Sequence, residues 1–216
     1  VTGAGLRYNY LLNASCLDNR EMTRAGQREI RRLLDWICEI GCGAVTVALP
    51  QLLTLVKTSY PHLKTRVSVF ACVDRVHKAR MWEDLGADTI CLDSLLVNRE
   101  FAQLRALREA VRCDLQLLVN NSCIQGCAFS PAHMNGLCHA SQQGHVSGGF
   151  FVDWCLLKCS AMKAANPIHY IRNEWIRPED LHLYEEMGFD NFKIVERDMP
   201  TELMLRRVRA YVERRW

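Results

Sequence analysis

No run of about 18 uninterrupted apolar residues occurs in the 216-residue sequence, which excludes a membrane-spanning helix. An excess of charge of one sign is also missing. The 27 Lys and Arg against 24 Asp and Glu leave a formal net charge of +3, too little to imply nucleic-acid binding by itself. The Ser–His–Asp order, the nucleophile elbow and the H-E-x-x-H helix are absent, as is a glycine-rich phosphate loop. The residues themselves therefore give proteolysis no support. Val1 to Gly5 leads directly into a strand-like run, so no secretory leader is expected.

Cysteine, by contrast, is abundant, with 11 residues. An odd number in a chain with no expected leader argues against a secreted disulfide framework and for a reduced, cytoplasmic setting. Cys38, Cys42, Cys72, Cys91 and Cys113 fall inside helix- or strand-like segments, where a free thiol behaves as a small hydrophobe. Cys16 and Cys138 lie in loop-like sequence. The other four form two matched C-x3-C pairs, Cys123/Cys127 and Cys155/Cys159, within a long stretch that has no simple helix or strand period. Thiolate sulfur is a soft anionic ligand, so four converging cysteines suit a metal centre. Zinc favours tighter C-x2-C pairs but tolerates others, whereas a [4Fe–4S] cluster takes four thiolates and is less strict about spacing. Buried thiols with no metal are the plainer alternative, and Cys138 is a fifth candidate.

Around this stretch, strand-sized apolar runs alternate with amphipathic helix-sized ones. Strands are expected at Leu6–Leu12, Ala44–Leu49, Arg66–Phe70, Thr89–Leu92, Leu115–Val119 and Asn191–Val195. Their nearly continuous apolar character suggests parallel strands covered on both faces. Helices are expected at Arg24–Ile40, Gln51–Thr58, Arg75–Leu85, Arg99–Val111, Pro178–Met187 and Thr201–Arg215. Gly41, Gly86 and Gly188 mark helix ends, and Pro50 and Pro178 suit helix first turns. The expected fold is α/β, a single (β/α) TIM-type barrel domain over residues 1–216 with a cysteine-rich insertion at about 120–176. Only six of the eight strand–helix units such a barrel needs are found, so the barrel is expected to be incomplete at its N-terminal end, or to be completed by a partner subunit. An open doubly wound sheet is the rival architecture.

In folds of this kind, ligands sit where the C-terminal ends of strands open into loops. The cysteine stretch follows Leu115–Val119 and lands on that face. Asn120 and Asn121, at that strand's end, and Glu196, ending the last strand, are candidate substrate contacts. Lys193 lies within a strand, where an unpaired charge is costly, so it should reach a carboxylate or a bound anion. Arg172 and Arg177 are planar forks suited to anionic oxygens, and Trp175 between them could stack on a ring. An ion-pair network with Glu179 and Asp180 is the structural alternative for the two arginines. His133, His139 and His145 lie among the cysteines as zinc ligands or proton donors, with His133 the best placed. The arginines of the last dozen residues read as a solvated helix face.

These stretches together resemble the peptidase U32 family, known as collagenase-like proteases. The resemblance is carried by Tyr8–Asn13, Leu118–Cys123 with Cys127 and His133, Phe151–Cys155 with Cys159, Trp175–Asp180 and Asn191–Arg197. It implies a (β/α) barrel and a [4Fe–4S] cluster held by Cys123, Cys127, Cys155 and Cys159. It also implies kinship with oxygen-independent hydroxylation enzymes acting on RNA bases or on the ubiquinone precursor. Two tight cysteine pairs differ from the spacing of the hydroxylases. The function expected is an iron–sulfur enzyme that modifies RNA or a small aromatic at the barrel mouth, with His133 catalytic. The alternatives are a non-catalytic, metal-stapled module that docks RNA or a partner subunit, and a peptidase.

Overall fold

The computed structural model describes every residue except 1, 2, 4, 150, 151 and 196–198. Six parallel strands lie side by side in chain order: β1 (Asn9–Leu12), β2 (Ala44–Val47), β3 (Lys64–Val67), β4 (Thr89–Cys91), β5 (Asp114–Leu118) and β6 (Asn191–Lys193). Between them run α1 (Arg24–Glu39), α2 (Pro50–Ser59), α3 (Val76–Asp84), α4 (Phe101–Ala110), α5 (Ser130–Ala140), α6 (Trp154–Ala165), α7 (Ile168–Arg172) and α8 (Leu181–Glu185), with α9 (Thr201–Glu213) after β6. An order without reversal is incompatible with a doubly wound sheet, which needs a switch point. Right-handed crossovers stepping in one direction put the crossover helices on the same side of the sheet, while α5 and α6 lie over the strands' C-terminal ends. The result is a curled half-barrel with helices on its outside.

That one-sidedness decides where apolar residues go. Successive side chains of a strand point to opposite faces. Val45, Val47, Val67, Ile90, Leu115 and Leu117 are fully buried and share one apolar cluster with Leu34 and Ile37 of α1, Leu52 and Val56 of α2, and Leu104 and Leu107 of α4. Burial of each such side chain is worth about 1.5–3 kcal/mol. The inner face is different. Thr46, Arg66 and Thr89 run in register across three strands, Asn9 Nδ2 donates to Thr46 Oγ1 at 2.8 Å, and Gln116 Nε2 donates to Asn191 Oδ1 at 2.7 Å. Both faces are nevertheless covered, since β2 and β4 are buried at every position. The inner face mixes these polar groups with apolar ones such as Ala44, Cys91 and Leu118.

The joints use both glycine and charge. Gly86 (φ +99°) ends α3 in the left-handed region, as its position before a strand implied. Asp88, just before β4, accepts hydrogen bonds from Lys57 Nζ, Thr65 N–H and Thr65 Oγ1. Burial pushes this carboxyl up, but those donors and the Lys57 charge outweigh it and hold the pKa down at about 2. Several expected boundaries move, two of them for a visible reason. The strand expected at Arg66–Phe70 is Lys64–Val67, because Ser68 Oγ accepts the Phe70 N–H and starts a 3-10 turn at Val69–Ala71. The helix expected from Pro178 begins as a 3-10 turn, Pro178–Asp180, before α8. The larger difference lies at residues 120–176, where the aperiodic stretch contains helices α5, α6 and α7.

Candidate functional site

The two cysteine pairs are presented by different means. Cys155 and Cys159 lie one turn apart on α6, so the i, i+4 spacing stacks them on one helix face. Asp153 caps that helix, its Oδ1 accepting the Leu156 N–H at 2.8 Å. Cys123 and Cys127 lie in the loop after β5. Asn121 Oδ1 accepts the Cys123 N–H at 2.9 Å, and Gly126 at φ +57° supplies the reversal that brings Cys127 back.

All four cysteines line one cavity of about 210 Å³, together with His133, Lys163 and the apolar side chains of Phe70, Leu95, Phe129 and Leu156. Among the described residues, no three Cys, His, Asp or Glu side chains gather around a point where a single ion could sit. The sulfurs thus occupy the walls of a shared, largely apolar space. His133 Nε2 lies 2.8 Å from Asp153 Oδ2, so the residue that caps α6 also orients the imidazole. Lys163, four residues beyond Cys159, donates to the Ser122 carbonyl at 2.6 Å. Its ammonium also lies over the Tyr170 ring at 5.5 Å.

The other expected residues separate into different roles. Asn120 pairs with Val195 as a strand would, Nδ2 donating to its carbonyl and Oδ1 accepting its N–H. Asn121 Nδ2 donates to Ser94 Oγ at 3.3 Å. Both amides hold the loop in shape. Trp175 donates through Nε1 to the Tyr170 carbonyl and lines a second cavity with Asn120 and Asn121. Arg177 is exposed and forms a two-pronged pair with Asp180 at 2.6 and 2.7 Å, the structural alternative foreseen for it. Arg172 is exposed at the end of α7, apart from both cavities. Lys193 is half-buried in β6, near Cys91; burial raises that thiol to about 11 while the ammonium works in the opposite direction. Glu196 lies outside the described residues.

Cys138 is buried on α5, away from the four. Its sulfur accepts the Ser15 N–H at 3.1 Å and ties the chain after β1 to that helix. His139 and His145 stack on each other with centroids 4.4 Å apart. Sequence reasoning missed Asp153, Lys163 and Glu174. Glu174 is buried and holds the site together, accepting from Arg99 N–H at 2.9 Å and Gln125 Nε2 at 2.8 Å. Asp153 carried a usable signal, a cap residue ahead of an i, i+4 cysteine pair. Glu174 carried none, since its partners are 75 and 49 residues away.

The sequence profile of peptidase family U32 matches residues 10–148. An uncharacterized protease of Methanocaldococcus jannaschii is 32% identical over 211 residues, covering 98% of this chain and 61% of that protein. The chain therefore spans about three-fifths of that relative's length. The solved structure of the U32 peptidase Mk0906 superposes with a TM-score of 0.69 at 25% identity, covering 92% of this chain and 73% of the other.

Proposed function

The chain belongs to peptidase family U32, and from that premise we propose that it is an iron–sulfur enzyme whose [4Fe–4S] cluster is held by Cys123, Cys127, Cys155 and Cys159. The observation that carries this reading is the cavity with all four thiols in its wall. The residues fit the group in kind and number. Four thiols are the full ligand set of a [4Fe–4S] cluster, each binding a different iron. The same group accounts for a further oddity, that α6 has no buried residue to hold it in place.

When bound, the cluster supplies electron exchange or an iron atom that ligates substrate. The chain's own residues do the rest. Lys163 brings positive charge to a site of four thiolates. His133, aligned by Asp153, holds or delivers a proton at Nδ1, the nitrogen not facing the carboxylate. Phe70, Leu95, Phe129 and Leu156 exclude water from the sulfurs. The reaction we assign is modification of RNA or a small aromatic held at the mouth of the half-barrel, of the oxygen-independent hydroxylating kind, in which an organic hydroxyl-bearing co-substrate gives up the oxygen atom and is itself reduced by two electrons. The scaffold for it is the curled half-barrel of six strand–helix units, of the TIM type.

Anaerobic preparation tests this reading. The expected product is brown, with iron and sulfide in equal amounts and a broad visible absorption that disappears in Cys123→Ser or Cys159→Ser. A colourless protein with one zinc per chain would overturn the cluster. One observation favours a second reading, peptidase activity as the relatives' names say: a His–Asp pair stands beside thiols, the arrangement used to activate a cysteine nucleophile. Cleavage of unfolded collagen that survives chelation and is stopped by thiol alkylation would support it.

A further inference from the structure

We infer that Glu174 is a positioning residue for the metal centre: through Gln125 it presets the loop that carries Cys123 and Cys127, and it sets a buried negative charge beside that loop. The inference rests on the cluster reading above. Glu174 follows α7 and is 2% exposed. Both of its oxygens accept, Oε2 from the Arg99 N–H at 2.9 Å and Oε1 from Gln125 Nε2 at 2.8 Å. Gln125 stands midway between Cys123 and Cys127, so whatever fixes its side chain fixes the turn between the two thiols. The far end of this clamp is seated in the core. Asn98 is fully buried, and its Nδ2 donates to the carbonyls of Glu174 and of Leu118, at the end of β5, each at 2.8 Å. The Tyr184 hydroxyl of α8 donates to the Asn98 carbonyl at 2.7 Å.

The two thiol pairs therefore start from different conditions. The turn between Cys123 and Cys127 is tied to residues packed against the sheet. Cys155 and Cys159 lie on a helix that buries no residue, and Lys163 ties that helix back to the loop through the Ser122 carbonyl. The loop is the fixed half of the site, and α6 is the half that leans on it. Hydrogen bonding alone does not account for a glutamate at position 174. A glutamine there could accept the Arg99 N–H through its oxygen and donate to the Gln125 oxygen once that amide turned over, with no charge to bury. A buried carboxylate is costly unless it is paired, and the Arg99 guanidinium in the same clamp donates to the carbonyls of Ile171 and Trp175 instead. The charge acts on what the loop holds. A negative charge beside an anionic cluster disfavours an added electron, so Glu174 keeps the reduction potential low.

Amide exchange on the full chain, with metal bound and after chelation, tests the positioning role, and a redox titration tests the charge. Residues 121–127 should stay protected in the metal-free protein. Gln125→Ala should abolish that protection, leave β2 to β5 unchanged, and weaken iron retention against a chelator about 10–100-fold, the range for partners that orient metal ligands. Gln125 is exposed, so its variant reports even where Glu174→Ala disturbs the core. Glu174→Gln should keep the loop protected and the iron bound, and should raise the midpoint potential. Loop amides that exchange freely without metal, iron retention indifferent to Gln125→Ala, or an unmoved potential in iron-loaded Glu174→Gln would overturn the inference. The outcomes also separate it from the reading it rests on. Loop protection that needs Gln125 in a protein that binds no iron would keep the clamp and sink the cluster. Iron held equally well by Gln125→Ala would do the reverse.

Discussion

The sheet and the cysteine stretch differ in what holds them. Residues in β2 to β5 bury Val45, Val47, Val67, Ile90, Leu115 and Leu117 completely against α1, α2 and α4. In residues 120–176, α6 and α7 bury no residue and α5 buries only Cys138. Val152, Trp154, Leu157 and Ile171 are each more than half exposed. An isolated twelve-residue helix is marginal in water, and packing normally supplies what propensity does not. The scaffold has that packing. The cysteine stretch has instead a few polar pins, Asp153, Lys163 and Glu174, and four thiols around a cavity. One region is held by its own apolar packing, and the other has little such packing.

The largest effect should come from the scaffold. Leu117→Ala should cost about 2–5 kcal/mol in urea unfolding, whereas Leu157→Ala on the exposed face of α6 should stay within about 0.5 kcal/mol. Equal losses would erase the distinction. Next is Asp153→Ala, which removes both the cap of α6 and the partner of His133 and should cost about 1–2 kcal/mol. The loss should appear as faster amide exchange within residues 154–165, with the sheet unaffected.

Acid should act on the scaffold by a similar or smaller amount. The Asp88 carboxyl is held at about 2, below its ordinary 3.8, so the ionised form is favoured in the folded state. Its contribution is complete above about pH 5 and is lost as pH falls from about 4 toward 2. With the side chain 27% exposed, solvent screening limits the contribution to about 1–2 kcal/mol. Asp88→Asn should flatten that part of the stability profile. The smallest effect is expected from Arg177→Ala. Its pair with Asp180 lies on the surface, and the unfolding midpoint should not move measurably.

The scaffold was legible in the sequence because its signals are local. Apolar runs, Gly86 before a strand and Pro50 at a helix start each report on their own few residues. The polar groups of the inner face were harder to see. Thr46 and Gln116 interrupt their strands only once each, and which face they occupy depends on the crossover helices lying on the other side. In the cysteine stretch, the i, i+4 pair Cys155/Cys159 was visible, yet the helix beneath it was not. A helix whose apolar residues face solvent lacks the stripe that periodicity detects. Glu174 and Lys163 were invisible for a different reason, as their roles come from partners 41 to 76 residues away.

Amide hydrogen exchange across residues 154–165, before and after the metal is stripped by chelation under oxidation, tests the central claim most directly. The account predicts strong protection in α6 while the cluster is bound, its collapse on removal, and unchanged protection in β2 to β5. Protection in α6 that is the same with and without metal would contradict it.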